Sequence, residues 1–256
     1  MRMTIVGLIG LVALTPTACH KLFPFGNISA DAVAARDAAG ADQDGADLAA
    51  DALAAIDLAG TDLSLVADAW ASFGDDFEDG VLGALWTSRV PKETTLSEEG
   101  GTLLLRPAAA YPSDLSVYVQ SRDFDMRGAS CQVQLVSAQQ LKGVYTWFGV
   151  AQSGSDDKIQ FLQEGNLLKL QAVTTKGLSS PIELVYDTTL HRYLRLRQQG
   201  GDCLWETADA PPNWVGRGSL PCPIPLQRVK VLLGVGTYQP IASPAATLFD
   251  NFLVSR

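Results

Sequence analysis

Hydrophobic and polar residues alternate with a period of two along much of the chain after residue 73. In "CQVQLV", Cys131, Val133 and Leu135 fall on one side and the two glutamines on the other. In "YLRLR", Leu194 and Leu196 alternate with two arginines. Because successive side chains of a strand point to opposite faces, this pattern predicts strands that bury one face.

Glycines separate these runs at short intervals. The stretches "LSEEGGTLLLR", "KIQFLQEGNLLKLQAV" and "YLRLRQQGGDCLWETA" each place glycine between two segments suited to strands. Glycine accepts a positive φ without a Cβ clash, so it suits tight hairpin turns. Many short strands without a convincing long helix predict an all-β fold, arranged as a sandwich or a barrel.

Three stretches resemble parts of a known family. These are "DDFEDGVLGALWTSRV", "HRYLRLRQQGGDCLWETADAPPNWVGRGSL" and "ATLFDNFLVSR". They resemble the opening strand, a hairpin and the closing strand of bacterial concanavalin A-like lectin and glucanase domains, the laminin G-like jelly rolls. The resemblance spans essentially all of residues 73–256. It implies a two-sheet antiparallel jelly-roll sandwich whose first and last strands are neighbours, with Phe77 and Phe252 helping to close the core.

The N-terminal residues predict export. Arg2, the apolar run "TIVGLIGLVAL" and the small residues of "TPTAC" are typical of a signal peptide over residues 1–19. The apolar run is too short for a membrane-spanning helix, which needs about 20 residues. The tripeptide that ends at Cys19 resembles a bacterial lipoprotein signal, which implies lipidation of Cys19, although Pro16 departs from that pattern. We expect a lipid-anchored envelope protein; the alternative is ordinary secretory cleavage, with Cys19 as a bystander.

Residues 20–72 have the composition of a tether. Residues 29–72 hold nine aspartates against one base, Arg36. Aspartate disfavours helix interiors and like charges repel, so we expect a solvated, disordered spacer. The chain carries a net charge of −9, whereas residues 73–256 hold 19 acids and 16 bases. The basic patch of a nucleic-acid-binding protein is missing, which excludes that partner class.

The sequence also lacks the acidic motif of the glucanases in this superfamily. Glycoside hydrolysis normally uses two carboxyl groups that flank the scissile bond. The related glucanases carry Glu-x-Asp-x-x-Glu or a close variant on one strand, and no such run occurs in this chain. The nearest pairs, Glu206 with Asp209 and Glu183 with Asp187, lack that spacing and are expected in solvated turns. The sequence therefore predicts a protein that is not an enzyme.

Aromatic residues favour glycan binding instead. Sugars present apolar C–H faces, so their sites combine aromatic rings with a few polar groups. Tyr145 and Trp147 share one face of a predicted strand, and Tyr118 offers another ring. Trp205 and Trp214 are weaker candidates, because core packing accounts for them. We expect a non-catalytic polysaccharide-binding module; the alternatives are an envelope domain for structural or protein contacts and, third, a glycoside hydrolase.

The resemblance further implies a calcium ion near the terminal strands, where many members of the superfamily carry one. Calcium favours carboxylate and carbonyl oxygens. The matching positions in this chain are Asp76, Glu78 and Asp250. The alternative is that these acids cap turns or face water.

The cysteines suit an oxidising compartment. With Cys19 assigned to lipid, three remain. Cys203 and Cys222 flank a hairpin and are the favoured disulfide pair. Cys131 lies on an apolar strand face and is expected to be a buried small hydrophobe. A Cys131–Cys203 bridge is the alternative.

Overall fold

The computed structural model describes residues 72–109, 116–179 and 182–256, and this part of the chain is all β-structure. The predicted signal peptide, Cys19 and nearly all of the predicted tether lie outside the described residues. The first strand begins at Ser72, one residue before the predicted start of the domain. No helix long and apolar enough to cross a membrane occurs among the described residues.

Sixteen strands form two antiparallel sheets in the described residues. They are β1 (Ser72–Asp75), β2 (Trp86–Arg89), β3 (Thr95–Glu98), β4 (Leu103–Arg106), β5 (Val117–Ser121), β6 (Ser130–Ser137), β7 (Val144–Gln152), β8 (Lys158–Glu164), β9 (Leu167–Thr174), β10 (Gly177–Leu178), β11 (Ile182–Val185), β12 (Tyr193–Gln199), β13 (Asp202–Ala208), β14 (Val215–Pro221), β15 (Val229–Thr237) and β16 (Thr247–Ser255).

The strand order confirms the predicted sandwich. Sheet 1 has the order β14–β13–β12–β6–β16–β4–β3, with β1 also paired to β16. Sheet 2 has the order β10–β9–β8–β7–β15–β5–β2, with β11 also paired to β9. Neighbours in these orders are often distant in the sequence, as expected of a jelly roll whose strands cross repeatedly between layers.

The two ends of the domain meet in sheet 1, as the resemblance implied. Strand β1 runs antiparallel to β16, with Phe73 opposite Val254 and Asp75 opposite Phe252. The ring of Trp86 lies 4.8 Å from that of Phe252 and 6.0 Å from that of Phe77, and all three rings are buried. Residues from both ends of the domain therefore pack together in one part of the core.

Alternation and glycine turns explain the hairpins. On β6 and β12 the alternating apolar side chains are buried between the sheets, whereas the arginines of β12 face outward. Gly165 joins β8 to β9 with a φ of 58°, and Gly200 joins β12 to β13 with a φ of 66°. Side chains larger than hydrogen are strained at such angles, so glycine sets the position of both turns.

Hydrogen bonds link the two sheets through the core. The indole N–H of Trp205 on β13 donates to the backbone oxygen of Gln160 on β8, at 3.0 Å. The hydroxyls of Thr146 and Thr247, on β7 and β16, lie 2.8 Å apart. Trp205 is therefore a core residue and does not contribute to a ligand-binding surface.

Trp214 stacks on Arg195, with the guanidinium carbon 4.1 Å from the ring centre.

Candidate functional site

The outer face of sheet 2, which points away from the core, carries a cluster of aromatic rings. Tyr145 and Trp147 occupy alternate positions of β7, and their ring centres are 5.5 Å apart. Tyr118 of β5 lies 6.4 Å from Trp147, and Tyr238, just after β15, lies 6.4 Å from Tyr145. We call these four residues the aromatic cluster. The structure thus brings the three predicted ligand-binding residues together and adds Tyr238.

Two glycines of β15 make room for this cluster. Gly234 lies opposite both Trp147 and Tyr118 in the sheet, and Gly236 lies opposite Tyr145. A Cβ at Gly234 would lie 2.1 Å from the Trp147 indole, and one at Gly236 would lie 2.5 Å from the Tyr145 hydroxyl oxygen. The rings therefore lie flat across β15, where any other residue would obstruct them.

The cluster is partly enclosed. Tyr145 and Trp147 are each only 4% exposed, whereas Tyr118 is partly exposed. The Tyr145 hydroxyl lies 2.8 Å from that of Ser116. A ligand on this face would therefore meet Tyr118 more fully than the two central rings. The assignment of Tyr118, Tyr145 and Trp147 to ligand binding stays a prediction.

Two carboxylates and an amine lie beside the aromatic cluster. Glu164 ends β8 opposite Tyr145, and Lys169 of β9 lies opposite Glu183 of β11. The Lys169 amine is 2.8 Å from Oε2 of Glu164 and 3.8 Å from Oε1 of Glu183. The Tyr238 hydroxyl donates to Oε1 of Glu164 at 2.5 Å. We call Glu164, Lys169 and Glu183 the carboxylate pair with its bridging lysine.

These contacts keep Glu164 ionised. Burial by itself favours the neutral acid, but the hydrogen bonds from Lys169 and Tyr238 outweigh it and lower the pKa of Glu164 below its usual value. The Glu164 side chain is 22% exposed and that of Glu183 is 48% exposed. One carboxylate is thus held by two donors, while the other extends toward solvent.

Amides and an amine continue the same face along β8 and β9. Gln160 and Gln171 lie opposite one another, and both are nearly buried. Lys158 begins β8 on the outer face and is only 6% exposed. Burial lowers the pKa of Lys158 to about 8, although the nearby charge of Asp156 opposes this shift. The face therefore offers hydrogen-bonding groups next to its rings.

Of the acids picked out by spacing, Glu183 belongs to this site, in strand β11 rather than in a turn, and the other three do not. Glu206 lies within β13, not at a hairpin tip as expected, and pairs with Arg195 at 2.7 Å and Arg197 at 2.9 Å on the outer face of sheet 1. Asp187 accepts the backbone N–H groups of residues 189 and 190 in a turn. Spacing along the chain missed the pair of Glu164 and Glu183, because these residues come from different strands.

The predicted calcium ligands lie near the ends of the domain. Burial raises the pKa of Asp250, and the charge of Asp76 raises it further, so the two carboxylates are neighbours. Glu78 faces the backbone at Gly101. Among the described residues, no group of three or more His, Cys, Asp or Glu side chains is arranged to hold a metal ion. The three carboxylates thus do not by themselves form such a site, and calcium binding stays a prediction.

The cysteines that fall in the described residues have distinct environments. Cys203 and Cys222 are joined by a disulfide, with Cα atoms 4.9 Å apart. Cys131 is free and buried, and burial raises the pKa of its thiol far above the usual value. A buried thiol that resists ionisation is a poor nucleophile.

Comparison with known proteins gives matches in structure only. No family model matches the chain, and neither does any curated protein sequence. A glycosyl hydrolase family protein from Mycobacterium fortuitum has a TM-score of 0.55 and 15% identity, with 71% of this chain and 98% of that chain covered. A β-1,3-glucanase from Mycobacterium marinum has a TM-score of 0.54 and 14% identity, with coverages of 71% and 97%.

A third match is the Crh5 transglycosylase in complex with NAG, at a TM-score of 0.55 and 12% identity, with 73% of this chain and 84% of that chain covered. At these identities the likeness establishes the fold alone, an antiparallel jelly-roll sandwich. The predictions of a non-catalytic lectin-like module and of no enzymatic activity are contradicted, because these neighbours are named as glycan-processing enzymes. The acidic motif of the glucanases lies on one strand, and its absence does not exclude carboxyl groups that different strands bring together.

Proposed function

We propose that this protein is a glycan-processing enzyme that acts on a polysaccharide lying across the outer face of sheet 2. The observation that carries the proposal is the carboxylate pair with its bridging lysine, next to the aromatic cluster. Glycosidases need two carboxyl groups on either side of the scissile bond and a surface that holds sugar rings. The fold, which this chain shares with a glycosyl hydrolase family protein and a transglycosylase, supports the same proposal.

The contacts of Lys169 set an upper limit on the separation of the two carboxyl groups. Lys169 contacts Oε2 of Glu164 and Oε1 of Glu183, so these two oxygens can be no further apart than the sum of the two contacts, 6.6 Å. Carboxyl groups in glycosidases lie roughly 5–9.5 Å apart, depending on whether the enzyme retains or inverts the anomeric configuration. This limit is compatible with the spacing that a pair of catalytic carboxyl groups needs, although the two acids come from different strands.

The environments of the two acids suggest their roles. Glu164 is held ionised by Lys169 and Tyr238, as a nucleophile or a general base must be. Glu183 is the remaining carboxyl group and, by elimination, would be the one that donates a proton to the leaving oxygen as the glycosidic C–O bond breaks. Water, or a sugar hydroxyl in a transfer reaction, would then bond to the anomeric carbon and give up a proton to a carboxylate.

Release of reducing ends from a panel of purified polysaccharides tests this function. We expect cleavage of at least one polymer by the wild type, and a loss of about 100-fold or more in Glu164→Gln and in Glu183→Gln. Glu99→Gln is the matched control, because Glu99 is an exposed acid in the turn after β3. Cleavage of no polymer, or full activity in both variants, would contradict the proposal.

We also propose that the enzyme is exported and held at the bacterial envelope by lipid on Cys19, with residues 20–72 as an acidic tether. The support is the pattern of the sequence from Arg2 to Cys19. Labelling with radioactive palmitate in a bacterial host tests it. Incorporation that is lost in Cys19→Ala is expected, and equal labelling of both proteins would refute the anchor.

A further inference from the structure

The Tyr238 hydroxyl reaches Glu164 from a segment that is distant from it in the sequence. It donates to Oε1 of Glu164 at 2.5 Å, whereas Lys169 contacts the other carboxylate oxygen, Oε2, at 2.8 Å. A carboxylate that accepts a bond on each oxygen can rotate only if one of these bonds breaks. Tyr238 therefore helps to fix the orientation of the Glu164 carboxylate as well as its charge.

The segment that carries Tyr238 follows β15 and is tied to the loop between β6 and β7. The backbone N–H of Tyr238 donates to the backbone oxygen of Gly143 at 3.0 Å. The side-chain amide of the next residue, Gln239, donates to the backbone oxygen of Lys142 at 2.8 Å. We call these two hydrogen bonds the loop latch, because together they hold the segment that presents the phenol.

Glycine at position 143 makes the loop latch possible. Gly143 has a φ of 97°, in the region where larger side chains are strained. A Cβ at this position would lie 2.3 Å from Cγ of Gln239 and 2.4 Å from its Nε2. Any other residue would therefore displace Gln239 from its bond to the loop.

The same loop also supports the turn that carries Glu164. Gln163 is only 1% exposed, and its Nε2 donates to the backbone oxygens of Gln139 at 3.3 Å and of Gly165 at 2.7 Å. Gln139 lies in the loop between β6 and β7, and Gln163 and Gly165 are the sequence neighbours of Glu164. One loop thus holds both the carboxylate and the phenol that donates to it.

We propose that Tyr238 is a positioning residue that fixes the Glu164 carboxylate for reaction, and that the loop latch holds Tyr238 in place. The inference rests on the proposed function, since it concerns a carboxylate of the same site. It adds the loop between β6 and β7 to the structure on which the site depends, although that loop contributes neither carboxylate.

The charged surroundings of Glu164 give the direction of the expected change. The described titratable groups near it are Tyr238, Tyr145 on β7, Lys142 in the loop, Lys169 on β9 and Glu183 on β11. Burial raises the pKa of Glu164, but the hydrogen bonds from Lys169 and Tyr238, with the charges of Lys169 and Lys142, outweigh burial and lower it. Loss of the Tyr238 hydroxyl should raise this pKa, because it removes one donor to the charged form.

An NMR titration of the full-length protein with isotope-labelled glutamate side chains tests this inference without a substrate. The Glu164 signal is assigned by its loss in Glu164→Gln. We expect Tyr238→Phe to raise the pKa of Glu164, and Gly143→Ala to raise it as well because it opens the loop latch. In the cleavage assay, Tyr238→Phe should lower kcat/KM about tenfold at the acid end of the pH profile and much less at neutral pH.

The chain offers a matched control for each variant. Tyr193→Phe also removes a tyrosine hydroxyl, which donates to Gln134 on sheet 1 at 2.7 Å. Gly154→Ala also places a side chain at a positive φ, of 77°, but a Cβ there has no neighbour within 4 Å. Neither control should change the titration of Glu164.

The outcomes separate the inference from the proposed function. An unchanged titration of Glu164 in Tyr238→Phe, or equal titrations in Gly143→Ala and Gly154→Ala, overturns the inference. Cleavage with the same pH profile in the wild type and Tyr238→Phe also overturns it but supports the enzyme. The expected titrations, with cleavage of no polymer by the wild type, support the role of Tyr238 at Glu164 and overturn the enzyme.

Thermal melting of each variant confirms that it is folded. Tyr238→Phe keeps the ring, whose centre lies 6.4 Å from that of Tyr145, and removes only the hydroxyl. This variant therefore decides the test of Tyr238 even if Gly143→Ala does not fold.

Discussion

Replacement of Gly234 by alanine should disrupt the aromatic cluster. The new Cβ would lie 2.1 Å from Cζ2 of Trp147, 2.4 Å from Cε2 and 2.6 Å from Cη2. Non-bonded carbon atoms normally approach to about 3.5 Å, so the indole must move by about 1.4 Å or β15 must shift. Overpacking of this kind costs about 1–3 kcal/mol in the free energy of unfolding.

Urea denaturation measures this cost, and near-ultraviolet circular dichroism reports the movement of the indole. Gly216→Ala is the matched control, because Gly216 also lies in a strand and a Cβ there would have no neighbour within 4 Å. A double-mutant cycle sharpens the test. In a Trp147→Ala background, Gly234→Ala should cost much less, so the two changes should be coupled by about 1–3 kcal/mol.

The reasoning would be refuted if Gly234→Ala unfolded at the same urea concentration as the wild type and kept its spectrum. It would also be refuted if the cost were the same with and without the Trp147 indole, because the clash could not then be its cause. Either result would mean that Trp147 does not lie across β15 in solution.

Three further predictions concern the fold. Replacement of both Cys203 and Cys222 by serine should lower the free energy of unfolding by about 3 kcal/mol, because the bridge closes a loop with a separation of 19 residues; an unchanged urea midpoint would contradict this. Burial, with the charges of Asp75 and Asp79, raises the pKa of Glu98 from 4.5 to about 7, so the stabilising contribution of this group is complete below pH 4.5 and is lost as the pH rises toward 7. Glu98→Gln should therefore flatten the plot of the free energy of unfolding against pH between these two values. An equally steep plot for the variant would count against this prediction. Calcium should raise the melting temperature of the wild type but not that of Asp250→Ala, and no shift in the wild type would remove the calcium site.

Much of the architecture could be predicted because its signals are local. The alternation at Leu194 and Leu196 depends only on neighbouring positions of one strand, and Gly200 marks its turn through its own backbone angle. The pairing of the first and last strands came from the family resemblance, since no local pattern specifies which strands lie side by side. The burial of Trp205 could not be predicted from local pattern either, because a tryptophan on a strand can face the core or the solvent.

The candidate site was predictable only in part. Tyr145 and Trp147 lie two positions apart, so their common face follows from strand geometry. The proximity of Glu164 to Glu183 does not, because β11 returns to pair with β9 and places Lys169 between them. Acids spaced along one strand do not include this pair, so the absence of a one-strand motif is no evidence against enzymatic activity.

The sequence by itself determined the alternating strands such as β6 and β12 and the glycine turns between hairpin strands, because each depends on the φ, ψ and side-chain character of adjacent residues. Only the tertiary structure decided which outward side chains share a face. The glycines of β15 acquire their role from Trp147 and Tyr145 on the neighbouring strand, and Lys169 acquires its role from acids on β8 and β11. Side chains form a site only when strand pairing, which joins residues far apart in the sequence, brings them within contact distance.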